Sequence, residues 1–395
     1  MTVTSGTVIA VAHLQEVRVG LGGHNRRDVI LSGTGGETEK HLALDAEYRP
    51  VYCDLLLGEA SKKGGTMTEV AGARELSKEQ LLEAYRIMKT IREFEERLHT
   101  EFATGEIPGF VHLYAGEEAI AAGFMAHLDE NDYVASTHRG HGHSIAKGCD
   151  VKSMMLEIYG KDEGICRGKG GSMHIADLDK GMLGANGIVG GGPPLVCGVG
   201  LSAKIRGTKQ VGVSFTGDGG ANQGTFLESL NLASAWDLPC VFVIENNGYA
   251  EATAQAFHSK GIDIAKRADG FSMPGVTVDG HDFFAVYEAA GEAIRRAREG
   301  GGPSLIECKV NRYYGHFEGD AQTYRGENEV EEIRNEKDCL TLFRQRVTSA
   351  DLVDEDDLDR IDEEVERLID ACVDEAKAAA NPSQDRLLAD VYVSY

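Results

Sequence analysis

The sequence predicts an α/β fold, a doubly wound and mostly parallel sheet flanked by helices, with a helical C-terminal extension. Three observations carry this. Short β-rich runs alternate with helical runs through the middle of the chain, which is the pattern of parallel strands joined by helical crossovers. Gly-rich loops follow directly on two of the β-rich runs. The last segment places apolar residues at helical spacing within a strongly acidic stretch.

In chain order, residues 1–66 show little sustained periodicity and carry Gly-rich breaks at Gly20 to Gly23, Gly33 to Gly36 and Gly64 to Gly65. They read as a disordered extension or as a start placed too far upstream, with Met67 the true first residue. From Ser77 the pattern is helical: Leu81, Leu82, Tyr85, Met88, Ile91, Phe94 and Leu98 recur behind a Ser77/Gln80 capping signal. A strand is expected at Val211 to Thr216, a helix from Gln223 to Trp236 and a strand at Val241 to Glu245. A helix around Phe283 to Arg298 precedes a further strand at Ser304 to Val310. From Asp351 to Ala380, residues Leu358, Ile361, Val365, Leu368, Ile369 and Cys372 line one face of a helix whose carboxylates read as a solvated face. The expected divisions are 1–66, a main domain over 67–345, and an acidic helical segment over 346–395.

Bulk properties narrow the function. With 395 residues and 42% apolar content, the chain can bury a large core. It has no run of about eighteen apolar residues and no basic start followed by an apolar stretch, so no membrane partner is expected and the cytoplasm is the default location. Eight cysteines are scattered singly without Cys-x-x-Cys or zinc spacing, and they read as reduced thiols. A net charge of −24 argues against nucleic acid, whose phosphates need a cationic face. The acid excess serves solubility and suits a salt-rich cytoplasm, where screening relaxes self-repulsion.

The sharpest local signal is the Val211–Thr216 run feeding Gly217, Asp218, Gly219 and Gly220, followed by a helix and a second strand ending at Asn246, Asn247, Gly248 and Tyr249. Both loops fall at the C-terminal ends of strands, where open α/β sheets hold ligands. The glycines allow a diphosphate close to the backbone, and the following helix offers N–H groups and its positive dipole end. Asp218 can offer Mg²⁺ a carboxylate, Asn247 an amide oxygen and Tyr249 a backbone carbonyl, the hard oxygen set that this ion prefers. A lone Gly-Asp-Gly is more often a structural turn. Paired with Asn246 and Asn247 about thirty residues later, it matches the thiamine-diphosphate pattern. His138, His141 and His143 could suggest a transition-metal site, but with Arg139 among them an anion-facing cluster is the better reading. His174 reads as structural, and Gly168, Gly170 and Gly171 as either a flexible loop or, from their place before Met173, a turn approaching the active site.

Together with IPGFVHLYAGEE (107–118), STHRGHGHSIAKG (136–148), GKGGSMHIADLDKGMLGANGIVGGG (168–192) and YGHFEGDAQTYR (314–325), these motifs resemble the alpha subunits of the pyruvate, acetoin and branched-chain 2-oxo acid dehydrogenases, the acetoin type most closely. The resemblance runs from Leu76 to about Asp338. It implies a thiamine-diphosphate-binding fold, thiamine diphosphate and Mg²⁺ as cofactors, and cleavage of acetoin or decarboxylation of pyruvate. The alternatives are a branched-chain 2-oxo acid substrate or, in another class, a non-catalytic nucleotide- or metal-binding module. By motif, Arg139 would contact the diphosphate with Asp218, Gly219 and Gly220, while Gly187 and Val189 would hold the aminopyrimidine through backbone groups. His138, which stands where pyruvate-type members usually have Tyr, and His316 are the catalytic candidates; His316 would stabilise the intermediate or receive the lipoyl group.

The resemblance also implies partners. Thiamine enzymes of this kind need a second domain that supplies an activating glutamate, and the roughly 330 residues from Met67 make one domain. A separate beta subunit in an alpha2beta2 assembly and a lipoyl-bearing dihydrolipoamide acyltransferase are therefore expected, and the chain alone should be inactive. Mammalian pyruvate-type members carry phosphorylatable serines just after the loop histidine. Here Phe317, Glu318, Gly319 and Asp320 follow His316, so kinase control through that segment is not expected.

Overall fold

The computed structural model describes residues 14–22, 26–33, 76–261, 263–389 and 392. The chain divides into two units, 1–64 and 65–395, taken separately here. In the first, strands β1 (Leu14–Gly22) and β2 (Arg26–Gly33) pair as an antiparallel hairpin, with Val17 opposite Leu31 and Val19 opposite Val29. The expectation of an unpatterned extension overlooked the alternation of Val17, Val19 and Leu21, which has the two-residue period of a strand. The rest of residues 1–66, and with it the question of Met67 as the start, lies outside the described residues.

Ser77 opens the second unit. Its hydroxyl accepts the Gln80 N–H while the Gln80 side chain accepts the Ser77 N–H at 2.9 Å, satisfying two donors otherwise stranded at the helix start. The resulting α1 (Lys78–Phe102) buries Leu81, Tyr85, Met88, Ile91, Phe94 and Leu98. Then follow α2 (Glu118–Met125), β3 (Tyr133–Ala135), α3 (His141–Ala146), α4 (Val151–Ile158), β4 (Met182–Gly184), α5 (Gly192–Arg206), β5 (Gly212–Gly217), α6 (Gly224–Ala235) and β6 (Cys240–Asn246). A short ribbon of β7 (Tyr249–Ala250) and β8 (Thr253–Ala254) leads through α7 (Gln255–His258) to β9 (Gly275–Asp279), α8 (Phe283–Arg298) and β10 (Ser304–Lys309). The chain closes with α9 (Glu329–Lys337), α10 (Cys339–Ser349) and α11 (Glu355–Ala378).

Six strands form one sheet in the order β4-β3-β5-β6-β10-β9, every pair parallel. Successive side chains of a strand point to opposite faces, and β6 shows why this strand is apolar throughout. Val241 and Val243 enter the larger core with Phe124 of α2 and Val286 of α8, whereas Phe242 and Ile244 enter a smaller core with Val196 of α5 and Phe226 of α6. Helices therefore cover both faces, as expected of a doubly wound sheet. The chain reverses direction across the sheet between β3 and β5: β4 lies on one side of β3, and α5 carries the chain back to β5 on the other. A crevice at the C-terminal strand ends is expected there.

Helix α11 buries Leu358, Ile361, Val365, Ile369 and Cys372, but Leu368 is 45% exposed, lying off the stripe by one residue's rotation. Its acidic face is less solvated than expected. Asp357, Glu364 and Asp370 pair with Lys78, Arg86 and Arg97 of α1, so the acidic helix and the basic edge of the first helix lie along each other. Exposed pairs of this kind contribute little each; the buried apolar stripe holds the helix. The seven described cysteines are free thiols, six of them buried; Cys53 lies outside the described residues. Among the described residues no helix is long and apolar enough to cross a membrane.

Candidate functional site

A cavity of about 310 Å³ opens at the C-terminal ends of β3, β5, β6 and β10, where the strand order reverses. Four loops after strands, the turn before α5 and the start of α2 line it. The loop after β3 contributes His138 and Arg139, the turn after β5 contributes Asp218, Gly219 and Gly220, the loop after β6 contributes Asn247 and Tyr249, and the loop after β10 contributes His316. Val189 comes from the turn before α5. The residues named from the sequence as catalytic, cofactor-binding or metal-binding thus meet at one cavity except Gly187, which lies between the lining residues Asn186 and Ile188.

Asp218 is 2% exposed, and Nε2 of His258 approaches its Oδ2 at 3.3 Å. Burial pushes this carboxyl up, while the His258 ring and the Gly219 N–H pull it back down. Gly217 leaves open space where a side chain would stand, whereas a Cβ at Gly219 would come 2.5 Å from Cβ of Ala250. Backbone can thus approach a ligand at 217, and close packing against β7 demands glycine at 219.

Asn247 is oriented by a residue that sequence reasoning missed. Its amide nitrogen donates to Oε1 of Glu117 at 3.0 Å, and its amide oxygen accepts the Tyr249 N–H at 3.4 Å. Glu117 is 1% exposed at the N-terminus of α2, and its Oε2 is buried without a hydrogen-bond partner among the described residues. Burial, reinforced by the charge of Glu245, pushes the Glu117 carboxyl above the usual range. Glu245, at the end of β6, accepts from Tyr114 and is hydrogen-bonded to Nε2 of His143 at 3.0 Å.

Two guanidinium groups offset these carboxylates. Arg139 donates to the Leu113 carbonyl and, at 2.9 Å, to the His316 carbonyl, tying the β3 loop to the β10 loop; burial brings its pKa down to about 10. Arg312, also missed, is 1% exposed and donates to the Glu251 carbonyl and the Tyr324 hydroxyl, while its Nε has no partner among the described residues. Its sequence signal is a single charge directly before the aromatic pair Tyr313 and Tyr314. Among the described residues the Thr216 hydroxyl, at the cavity wall, is likewise buried without a partner.

The histidines sort differently from the grouping that their spacing suggested. His141 is hydrogen-bonded to Glu95 at 3.0 Å and Ser172 at 2.9 Å, and His143 to Ser136 at 2.7 Å; both are fully buried structural links. His138 instead faces His112 and His316, with ring centroids 4.7 and 5.0 Å away, and His112 lies 5.1 Å from His316. His112 was not foreseen because it lies well upstream, beside α1. Burial and the two arginines push all three imidazoles down, His112 to about 3 and His316 to about 4.

The glycine loop at 168–171 does not line the cavity. Its amides are consumed by Glu157, whose buried carboxylate accepts the N–H groups of Cys166, Gly168, Gly170 and Gly171 at 2.7 to 3.0 Å. Through Ser172 the loop braces His141, two residues from Arg139.

Comparison with known proteins places the chain. The profile of the dehydrogenase E1 component family matches residues 86–384. The acetoin:2,6-dichlorophenolindophenol oxidoreductase alpha subunit of Cupriavidus necator is 64% identical over 325 residues, 82% of this chain and 98% of that protein. Its namesake in Bacillus subtilis is 57% identical over 320 residues, 81% and 96% of the two chains. The pyruvate dehydrogenase E1 component alpha subunit of Rhizobium meliloti is 39% identical over 328 residues, 83% and 92%. The parallel sheet, the cavity at its switch point and these matches agree: the chain belongs to the dehydrogenase E1 component family, among its alpha subunits.

Proposed function

We propose that this chain is the alpha subunit of a thiamine-diphosphate-dependent dehydrogenase that cleaves acetoin or decarboxylates pyruvate and passes the two-carbon unit to a lipoyl-bearing acyltransferase. The observation that carries the reading is the meeting of Asp218, Asn247 and Tyr249, from two adjacent strand ends, at one cavity with Arg139. The donor set suits the cofactor. Asp218, the Asn247 amide oxygen and the Tyr249 carbonyl offer Mg²⁺ three oxygens, leaving its remaining positions to phosphate and water. The open space at Gly217 and the unpartnered Thr216 hydroxyl and Arg312 Nε suit a diphosphate. Arg139 and Arg312 would neutralise its charge, with Gly219 and Gly220 around it, while Gly187 and Val189 would hold the aminopyrimidine.

Bound thiamine diphosphate supplies the electron sink that lets a carbon–carbon bond beside a carbonyl break. The chain's own residues bind and orient. Glu117 turns the Asn247 amide so that its oxygen is available to the metal, and Asp320, by accepting the His316 N–H at 2.7 Å, fixes the loop that presents His316. His138 and His316 are the groups placed to act on substrate. A beta subunit, in an alpha2beta2 assembly, would supply the activating glutamate and cover the exposed Ile188 and Val189 beside the cavity. The names of the relatives at 64% and 57% identity favour acetoin.

The test is a substrate panel on the chain co-produced with its beta subunit, using an artificial electron acceptor. Turnover of acetoin or pyruvate by the pair, and none by the chain alone, is expected. Full thiamine-dependent turnover by the isolated chain would overturn the two-chain site, and none by the pair on either substrate would overturn the activity.

A further inference from the structure

Three imidazoles stand together at the mouth of the cavity and make almost no use of their ring nitrogens. His112, His138 and His316 come from three separate segments, and their candidate ligand atoms lie within 4.8 Å of one another. Among the described residues no hydrogen bond to any of these three rings is found, and Nδ1 of His112, a residue 7% exposed, is buried without a partner. His141 and His143, by contrast, are hydrogen-bonded through both nitrogens. Unsatisfied polar atoms inside a protein call for a partner, and a polar molecule in the cavity can supply one. His138 and His316 line the cavity, and His112 backs them.

We propose that this three-histidine cluster receives the hydroxyl-bearing half of a vicinal hydroxyketone, and that His138 takes the hydroxyl proton as the substrate breaks. The proposal rests on the thiamine-dependent reading above. It follows from a difference between the two candidate substrate classes. A 2-oxo acid loses CO₂ from a carboxylate that carries no proton at neutral pH, so its departing fragment needs no base. In a hydroxyketone, the bond between carbonyl and carbinol carbons breaks with its electron pair staying on the carbonyl half, in the sink that the cofactor supplies. The carbinol carbon then forms a C=O double bond and leaves as an aldehyde only if its O–H bond breaks, and that proton goes to a ring nitrogen of His138.

The surroundings keep a nitrogen lone pair available. The charged and titratable groups around the rings are Arg139 and His141 on the β3 side, Arg312 and Asp320 on the β10 side, and Glu117, Asp218, Glu245, Tyr249 and Glu251 on the cavity wall. Burial first, then the charge of Arg139, and after it His112, His316 and Arg312, oppose protonation before substrate arrives. A diphosphate lying against those arginines would relax the second effect and return the ring toward the range in which a general base works.

The experiment uses the chain in complex with its beta subunit. Calorimetric titration of thiamine diphosphate with Mg²⁺ comes first: saturable binding, with affinity changed less than about threefold in His138→Gln, is expected, and absence of binding by the unsubstituted complex would overturn the underlying reading and this one with it. Hydroxyketone turnover should fall at least about a hundredfold in His138→Gln. In His138→Gly it should be restored in part by added imidazole. Retained turnover, or a loss that imidazole does not rescue, would overturn the proton role alone. A readout without turnover is histidine NMR of the complex before cofactor is added: a His138 ring unprotonated at pH 7 is expected, and a protonated one would overturn the proposal.

Discussion

Glu157 gives the severest test of how the loops around the site are held. Its carboxylate, 0% exposed, accepts four backbone N–H groups, from Cys166 at 2.8 Å, Gly168 at 2.7 Å, Gly170 at 2.7 Å and Gly171 at 3.0 Å. The loop can converge on one side chain because Gly168 has φ 70 and passes so close to Gly160 that a Cβ would lie 2.7 Å from its carbonyl carbon. Glu157→Gln keeps the shape but replaces one oxygen by an amide NH2 group, so two N–H groups face a donor. Hydrogen bonds to a charged group contribute about 1.5–3 kcal/mol each, and losing two should cost on the order of 3–6 kcal/mol. In a domain of this size that is a fall in melting temperature on the order of 5–10 °C. Thermal unfolding of wild type and variant, followed by circular dichroism, measures it. A fall below about 1 °C would refute the idea that this carboxylate organises the loop.

Two further outcomes follow from buried titratable groups. His112 is held at about 3 against 6.5 in an unfolded chain, so the unfolded state binds more protons between those values. Its stabilisation is complete above pH 6.5 and is lost as pH falls toward 3, by about 2 kcal/mol at pH 5. Denaturant unfolding at pH 7.5 and 5 should show His112→Gln losing less stability than wild type by about that amount; equal losses would contradict the assignment. Glu117→Ala frees the Asn247 amide to turn, and Mg²⁺ affinity should fall about 10- to 100-fold, as when a residue supporting a metal ligand is removed. Titration of Mg²⁺ into the cofactor-saturated complex reads this directly, and an unchanged affinity would show that Asn247 needs no such support.

The elements that local physics decides were legible in the sequence. The Ser77/Gln80 box, the apolar stripe of α1, the β5 and β6 runs and their polar loops all follow from periodicity and capping, and Asp218, Asn247, Arg139, His138 and His316 do converge. What escaped is set by partners far along the chain. Glu117 meets Asn247 and Tyr114 meets Glu245 across 130 and 131 residues, and no local pattern marks a buried glutamate that will orient a distant amide. His141 and His143 look like ligands by spacing, but helix α3 turns them into the core and only His138, before the helix, faces the cavity. The carboxylates of α11 read as solvated because the basic residues of α1 that pair with them, Arg86 and Arg97 among them, lie 278 and 273 residues earlier.

The central claim is that Asp218 holds the metal end of a thiamine diphosphate site. Calorimetric titration of thiamine diphosphate into the complex of this chain with its beta subunit, with and without Mg²⁺, tests it most directly. Saturable binding that requires Mg²⁺ and collapses in Asp218→Ala is the result this structure predicts. Binding that ignores Mg²⁺, or that survives the loss of the Asp218 carboxylate undiminished, would contradict it.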